Sequence, residues 1–484
     1  MKNKMRSVPF SELLTEAIEE YRESKSLFGV PVVVNKYGTK MGPAAGPHTQ
    51  LAQNIVAGYG AGATVFELKT VQVLYGEDLG IIKPCIYVGS EVYNIEWSSE
   101  FAPADAAAEY IKAGILIQIL SKEFDLTDFC NIQFVMSVGY DLKGIQGQVV
   151  DSFIESMKDA SVTKEWKNDI TYLRENLALF EKVTEADLLM LEPKLCNTVT
   201  LSTMHGCPAE DIERFGKYLI SEKNLNTYIK MNPTLLGKAE IQQILSTKGY
   251  DITLPEEMFK VDINIEQAKK IIDECKVLAE KKGLLFGIKL TNTLPTVITG
   301  GELAGKQMYM SGPALYAISI NTAKLLAAKY NGNIRISYSG GIDDKNIKEV
   351  LEAGIAPVTV SSFLLKPGGY KNLSKLIINT IIPEKVDMIK LNALANNAIE
   401  NENYNRTEHR KYKKQNNYSA YCSVCHNCQD ICPNRANRRV KIDDKEVVIH
   451  LPEYCNECGA CSYFCVMGHV PYLEKSEWRN RNGD

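Results

Sequence analysis

Thirteen cysteines occur in this 484-residue chain, and eight of them fall between Cys422 and Cys465. They read Cys422-x2-Cys425-x2-Cys428-x3-Cys432-Pro433 and then Cys455-x2-Cys458-x2-Cys461-x3-Cys465. Three thiolates on one tight loop can cap three irons of a cube, and the fourth iron then needs a ligand from a distant point. Structural zinc sites use paired Cys-x2–4-Cys knuckles, without a third cysteine at the same short interval. The spacing therefore predicts two [4Fe–4S] clusters.

Paired runs of this kind resemble bacterial ferredoxins, in which the fourth cysteine of each run ligates the other cluster. The resemblance implies one cluster on Cys422, Cys425, Cys428 and Cys465, and a second on Cys455, Cys458, Cys461 and Cys432. Both would sit in a small ferredoxin-like α+β domain over residues 421–484. Val466 stands where a proline usually follows the last cysteine, which leaves the ligand count intact. Residues 401–420, rich in Asn, Lys and Arg, read as a linker, and residues 1–400 as the main domain.

A second set of chemically capable residues is spread through the main body. Gly42-Pro43-Ala44-Ala45-Gly46-Pro47-His48, Lys69-Thr70, Ser137-Val138-Gly139 and Ser202-Thr203-Met204-His205-Gly206-Cys207-Pro208 come first. Lys230-Met231-Asn232-Pro233, Lys289-Leu290-Thr291-Asn292-Thr293, Ser339-Gly340-Gly341 and Thr359-Val360-Ser361-Ser362 follow. Each ends a short apolar, β-branched run. The runs lie near Gly42–Gly46 with the preceding Val32–Val34, then at Val65–Lys69, Ile132–Val138, Val199–Met204, Tyr228–Met231, Leu285–Thr291, Ile334–Tyr338 and Val358–Val360. Between them lie segments of helical period, with Ile212, Phe215 and Leu219 on one face and Ile347, Val350 and Leu351 on another. Eight such units predict an α/β fold, a (β/α)8 TIM barrel with its site where the strands end. Ser339, Gly340, Gly341, Ser361 and Ser362 end the seventh and eighth runs, where such barrels bind phosphate.

In this order the motifs resemble the dihydroorotate and dihydropyrimidine dehydrogenase superfamily of FMN enzymes, across about 320 residues. The stretches 42–49, 94–101, 201–208, 232–237, 289–294 and 366–370 are more closely similar to the YgfK-type family of selenate reductase subunits. That label names a pathway, and none of these residues carries its chemistry. The resemblance implies an FMN site built from Ala45, Gly46, Lys69, Thr70, Ser137, Lys230, Lys289, Thr291, Asn292, Ser311, Gly312, Ser339, Gly340, Gly341, Ser361 and Ser362. Lys69 and Lys230 match lysines beside the flavin ring, where a cation stabilises the anionic reduced form. Cys207 matches the cysteine that exchanges a proton with substrate; here Met204-His205-Gly206 replaces the family's Asn-Leu-Ser before it, so His205 is an alternative acid. His48, Glu96, Asn232, Asn292 and Thr293 are the expected substrate contacts, with Asn94, Trp97 and Glu100 in a segment that gates or lines the pocket. Cys85, Cys130, Cys196 and Cys275 read as core or surface thiols.

Composition narrows the rest. A net charge of −4 argues against general nucleic-acid binding, which relies on a basic surface. The longest aliphatic run, Ile115–Leu120, is too short to span a membrane, and Glu12 and Glu16 interrupt any secretory signal, so a cytoplasmic location is expected. No Gly-x-Gly-x-x-Gly opens a βαβ unit, so electrons are expected from a partner, a ferredoxin or an NAD(P)H-oxidising flavoprotein. The expected activity is an FMN- and iron–sulfur-dependent reduction of a C=C or C=N bond in a planar nitrogen heterocycle. An oxidised purine such as uric acid is favoured on the resemblance to chains of purine breakdown, with pyrimidine-ring chemistry next. An electron-transfer subunit that only houses the flavin stays open, as does self-association.

Overall fold

The computed structural model describes residues 5–89, 91–95, 99–407, 422–442 and 444–474. Eight short parallel strands form its centre: β1 (Met41–Pro43), β2 (Val65–Glu67), β3 (Gln133–Val138), β4 (Thr198–Ser202), β5 (Asn226–Met231), β6 (Phe286–Leu290), β7 (Ile336–Tyr338) and β8 (Val358–Val360). Their order is β1-β8-β7-β6-β5-β4-β3-β2. The Thr64 N–H donates to the Met41 carbonyl at 2.9 Å and brings the two ends of this sheet together. Close approach at that seam depends on Gly42, where a Cβ would stand 1.7 Å from the Val65 carbonyl oxygen. The (β/α)8 barrel expected from the eight apolar runs is present.

Helices pack outside because their apolar faces match the barrel wall. Ile212, Phe215 and Leu219 of helix Ala209–Ser221 are buried, as are Ile347, Val350 and Leu351 of helix Ile347–Glu352. Helix Pro103–Phe124 contains the Ile115–Leu120 run, buried throughout. No helix among the described residues is long and apolar enough to cross a membrane. One detail differs from expectation. Val32–Val34 lies outside the first barrel strand; Val30–Pro31 instead pairs with Ser26–Leu27 in a small ribbon, and the Val33 N–H donates to the Gly60 carbonyl.

Two excursions from the barrel meet as a four-stranded antiparallel sheet over its C-terminal mouth. Ile86–Val88 and Val92–Asn94 come from between β2 and β3, and Leu294–Val297 and Gln307–Ser311 from between β6 and β7. The sheet is joined in the middle by the pairing of Tyr309 with Asn94 and of Ser311 with Val92.

The cysteine-rich tail packs on the same end. Its described part holds an antiparallel ribbon, Asn437–Ile442 with Lys445–His450, and the short helical segments Asn427–Ile431 and Ala460–Ser462. Cys85, Ile86, Val88, Val92 and Leu365 of the main body share a small core with Ile431, Cys458 and Ala460 of the tail. Of the expected linker, residues 401–407 are described and packed: Tyr404 stacks at a tilt on Tyr316, and Arg406 pairs with Glu91 at 2.8 Å.

Candidate active site

A cavity of about 380 Å³ opens at the C-terminal ends of the strands. Ala45, Thr70, His205, Lys230, Thr291, Asn292, Thr293, Ser311, Gly312, Ser339, Ser361 and Ser362 line it, all of them singled out from the sequence. Ser202, Thr203, Met204, Met258, Ile95, Tyr309 and Leu315 complete much of the wall.

One end of the cavity is built for an anion. Gly312 takes φ +78° immediately before the sixteen-residue helix Pro313–Ala328, whose first N–H groups lack helical partners. Ser339, Ser361 and Ser362 stand around it, and the buried Ser361 hydroxyl has no hydrogen-bond partner in the protein. Gly341, at φ +76°, packs so tightly that a Cβ would meet the Gly312 carbonyl oxygen at 2.6 Å. An orphaned hydroxyl beside a helix N-terminus is the chemistry that a phosphate group satisfies.

The other end presents amide, ammonium and hydroxyl groups. β5 carries Lys230 in register with Lys289 on β6 and Ser202 on β4. Asn292 is held by donating to Asn232 Oδ1 at 2.6 Å and to the Thr203 carbonyl at 3.2 Å. Thr70 and Ser137 are joined through their hydroxyls at 2.8 Å, and Thr291 and Ser319 likewise at 2.7 Å. Asn232 thus acts one step behind the wall, and Ser137 does the same.

Lys289 faces the barrel interior instead of the cavity. Its ammonium, 2% exposed, lies 3.1 Å from Glu67 Oε2 and donates to Thr359 Oγ1 at 2.7 Å and Ser337 Oγ at 3.3 Å. Glu67 also accepts from the Ala45 N–H at 3.2 Å, so one carboxylate fixes a lysine and the loop after β1. Burial alone would raise the Glu67 carboxyl, but Lys289, Lys230 and the Ala45 N–H together hold it below the ordinary range. Burial lowers the Lys289 ammonium, with Glu67 opposing. Lys69, also buried, stands behind the cavity lining, and its carbonyl accepts from the Tyr110 hydroxyl at 3.1 Å. His48 is buried, edge-on to Tyr370; burial brings it down to about 3, opposed by the Leu364 backbone and aided by Lys69, so it is neutral at ordinary pH. Gly46 and Gly340 shape their turns without lining the cavity.

On the loop after β4, His205 and Cys207 part company. His205 lines the cavity, with Nδ1 2.7 Å from Asp262 Oδ2 and Nε2 3.0 Å from the Thr293 carbonyl, its ring parallel to Tyr309. The Gly206 N–H and the Thr234 hydroxyl donate to the same carboxylate. Cys207 lies outside the cavity wall, half-buried. Burial pushes its thiol up to about 11, with Asp211 and Asp262 adding in the same direction. The neighbours that set its charge are carboxylates, so it is a protonated thiol. Glu96 and Trp97 fall outside the described residues; Asn94 is fully buried, and Glu100 turns toward the tail.

In the tail, Cys432, Cys455, Cys458 and Cys461 line one enclosed cavity with Asn434, Asn437 and Tyr472. Cys432 acts electrostatically on all three of the others. The two runs also repeat a backbone: Val424 and Glu457 have φ +51° and +54°, and His426 and Gly459 have φ +65° and +90°. N–H groups point at sulfur in both, Val424 to Cys422 at 3.4 Å and Glu457 to Cys455 at 3.3 Å. Among the described residues no group of His, Cys, Asp or Glu converges to hold a single metal ion. A cube with a thiolate at each iron would need its four sulfurs around one shared space, and Cys432, Cys455, Cys458 and Cys461 line a common but narrow one. Of the other set, Cys422 and Cys425 are exposed, Cys428 is buried and Cys465 is half-buried.

Residues 16–411 match the family model of the oxidoreductase YgfK N-terminal TIM-barrel domain. The chain belongs to this family. It is 40% identical over 427 residues to YgfK of Escherichia coli K12 and, equally, to that of Escherichia coli O157:H7, in each case across 82% of this chain and 41% of the relative. It therefore spans about two fifths of the length of these relatives. Among solved structures, ligand-free DHODH from Eimeria tenella superposes with a TM-score of 0.42 at 14% identity, over 76% of this chain and 92% of that one.

Sequence reasoning missed three parts of this YgfK-family site. Glu67 ends the short strand β2 outside any motif, so only its position opposite Lys289 reveals it. Asp262 lies in a helix-rich excursion far from any strand end. The roof sheet that brings Ile95 and Tyr309 over the cavity joins segments that no local pattern connects.

Proposed function

We propose that this chain is the FMN-binding part of an iron–sulfur flavoprotein oxidoreductase that reduces a C=C or C=N bond of a planar nitrogen heterocycle, an oxidised purine such as uric acid being favoured. The observation that carries this reading is the cavity itself, with an anion-binding end at Gly312, Ser339, Ser361 and Ser362, an amide and ammonium end at Lys230 and Asn292, and a cysteine-rich tail packed against its roof. Bound FMN would supply hydride chemistry there. The chain's own residues do the rest. The serines and the helix N-terminus hold the phosphate, Lys230 places a positive charge beside the ring, and Asn292, fixed by Asn232, orients polar edges. Cys432, Cys455, Cys458 and Cys461 would hold one [4Fe–4S] cluster, and Cys422, Cys425, Cys428 and Cys465 the other. Electrons then enter from a ferredoxin or an NAD(P)H-oxidising flavoprotein in the cytoplasm. The preference for a purine comes from the sequence resemblance.

Cys207, protonated at neutral pH, is suited to donate a proton to substrate, because its loop neighbours Ser202 to His205 line the cavity and a turn of the loop would bring the thiol in. Its present place outside the wall favours a second reading, an electron-transfer subunit whose barrel only houses the flavin.

The test is anaerobic. The purified chain should carry about eight irons and one FMN, and the reduced flavin should be reoxidised by uric acid faster than by xanthine or uracil. Stoichiometric zinc without iron would overturn the tail assignment. No reoxidation by any ring, with fast transfer to a partner protein, would favour the subunit.

A further inference from the structure

Residues 5–9 form an arm that leads into helix Phe10–Ser24 and is tied at three places. The Arg6 N–H donates to the Glu453 carbonyl of the tail at 2.8 Å. The Met5 sulfur accepts from the Gln50 side chain, on the loop after β1, at 3.6 Å. The third tie is a buried ammonium. Lys112 Nζ, on helix Pro103–Phe124, donates to Ser7 Oγ at 2.6 Å, to the Val8 carbonyl at 2.8 Å and to Glu109 Oε1 at 2.6 Å. Glu109 Oε2 accepts from the Ala52 N–H at 2.7 Å, so the same pair also holds the helix that follows the loop after β1.

An ammonium has three N–H groups, and here all three are spent. A further acceptor stands close by. Asp169, on helix Lys164–Glu175, has a buried Oδ2 with no hydrogen-bond partner in the protein. Its helix packs against helix Pro103–Phe124 and, through Tyr172, edge-on against Phe10 at the end of the arm. Lys112 and Glu109 act on it from the first of these, and Glu165 from its own helix. Of the other carboxylates around that helix, Asp159 is engaged with Ser161 and Glu185 with Arg174, while Glu12, Glu16 and Glu19 of helix Phe10–Ser24 line an open cleft beside Tyr172. Burial raises the Asp169 carboxyl to about 7, with Lys112 opposing and Glu165 and Glu109 adding to the rise.

We propose that Lys112 is shared between the arm and Asp169, and that the arm is thereby a pH-sensitive strap. With Asp169 protonated, the ammonium holds Ser7 and Val8. With Asp169 ionised, Oδ2 is a buried charge that needs a donor, and Lys112 can serve it only by giving up the arm. The step moves one proton from Asp169 to solvent, and otherwise only hydrogen bonds are exchanged. Because the folded pKa lies above that of a free aspartate, the strap is closed on the acid side of neutrality and opens as pH rises through about 7. Opening frees Arg6 from Glu453 and Met5 from Gln50, so it loosens one tie between the tail and the barrel.

The experiment is tryptic cleavage after Arg6, an exposed residue, in the full chain. Mass spectrometry follows the product that begins at Ser7, and each rate is corrected for the activity of trypsin on an arginine peptide at the same pH. Between pH 6 and pH 8 a carboxyl that titrates near 7 goes from about 10% to about 90% ionised, so the wild type should be cut roughly tenfold faster at pH 8. Asp169→Asn, uncharged at both, should be cut slowly at both. Lys112→Met, which lacks the shared ammonium, should be cut fast at both. A wild-type rate that is flat between pH 6 and pH 8, or an equal rise in Asp169→Asn, overturns the strap. Should Lys112→Met fail to fold, the wild-type and Asp169→Asn profiles decide alone.

Discussion

The imidazole of His205 rests on the carboxylate of Asp262, Nδ1 to Oδ2 at 2.7 Å, and so ties the loop after β4 to the helical excursion after β5. Because Nε2 is engaged with the Thr293 carbonyl at 3.0 Å, both ring nitrogens are committed to the protein. His205 is thereby a fastening of the wall.

Loss of that fastening should be measurable. Asp262→Ala removes the acceptor for His205, Gly206 and Thr234 together, and charge-assisted hydrogen bonds of this kind are worth roughly 1.5–3 kcal/mol each before relaxation. We expect a stability loss of about 2–4 kcal/mol in urea unfolding. Burial raises the Asp262 carboxyl, and the bonds from His205, Thr234 and Gly206 outweigh it, leaving its pKa lowered. A carboxyl held low in the folded state stabilises above its unfolded pKa, so this contribution should persist at neutral pH and vanish on acidification through the folded pKa. An acid unfolding profile identical in Asp262→Ala would contradict it.

Glu67→Ala should be worse. It leaves the Lys289 ammonium buried among hydroxyls without its counter-charge, a situation that costs about 3–5 kcal/mol. The same change releases the Ala45 N–H, so weaker FMN retention is expected alongside lower stability. Denaturant midpoints and flavin-to-protein ratios measure the two effects separately.

The thiol of Cys207 should be slow to alkylate. With its pKa pushed up to about 11, its thiolate fraction at pH 8 is about 10⁻³. Peptide mapping after iodoacetamide at pH 8 should find Cys207 largely unmodified, with reactivity rising toward pH 11. In turnover, Cys207→Ala should retain FMN and slow the proton-coupled step by roughly 10²–10⁴-fold. Fast labelling at pH 8 would exclude the protonated state.

At the anion-binding end, Gly312→Ala places a side chain at φ +78°, 3.1 Å from a Val92 methyl, and Ser361→Ala removes the one buried hydroxyl there without a partner in the protein. Both should lower FMN content after gel filtration, Gly312→Ala also at a stability cost of about 1–2 kcal/mol. Equal FMN content in wild type and both variants would move the phosphate elsewhere.

Much of this architecture is legible in the sequence because barrel strands are local. A β-branched run ending in polar residues announces its strand and the mouth of the barrel at once, and Thr70, Lys230, Asn292 and Ser361 were found in this way. Lys289 shows the limit. Side chains alternate along a strand, and its place in the interior follows from the partner that Glu67 supplies across the barrel. The tail's cysteines carry their spacing in the sequence, yet their seat beside Cys85 depends on a surface assembled from the roof sheet and Leu365.

The roof has a consequence for how the molecule is made. Ser311 and Val92, whose hydrogen bond helps to join its two halves, are 219 residues apart along the chain. Contacts of such sequence separation form after local ones, since the intervening chain must first be ordered. Closing the barrel joins residues still farther apart, Met41 of β1 with Val358 of β8, so the roof and the last seam of the wall are completed together, late in assembly.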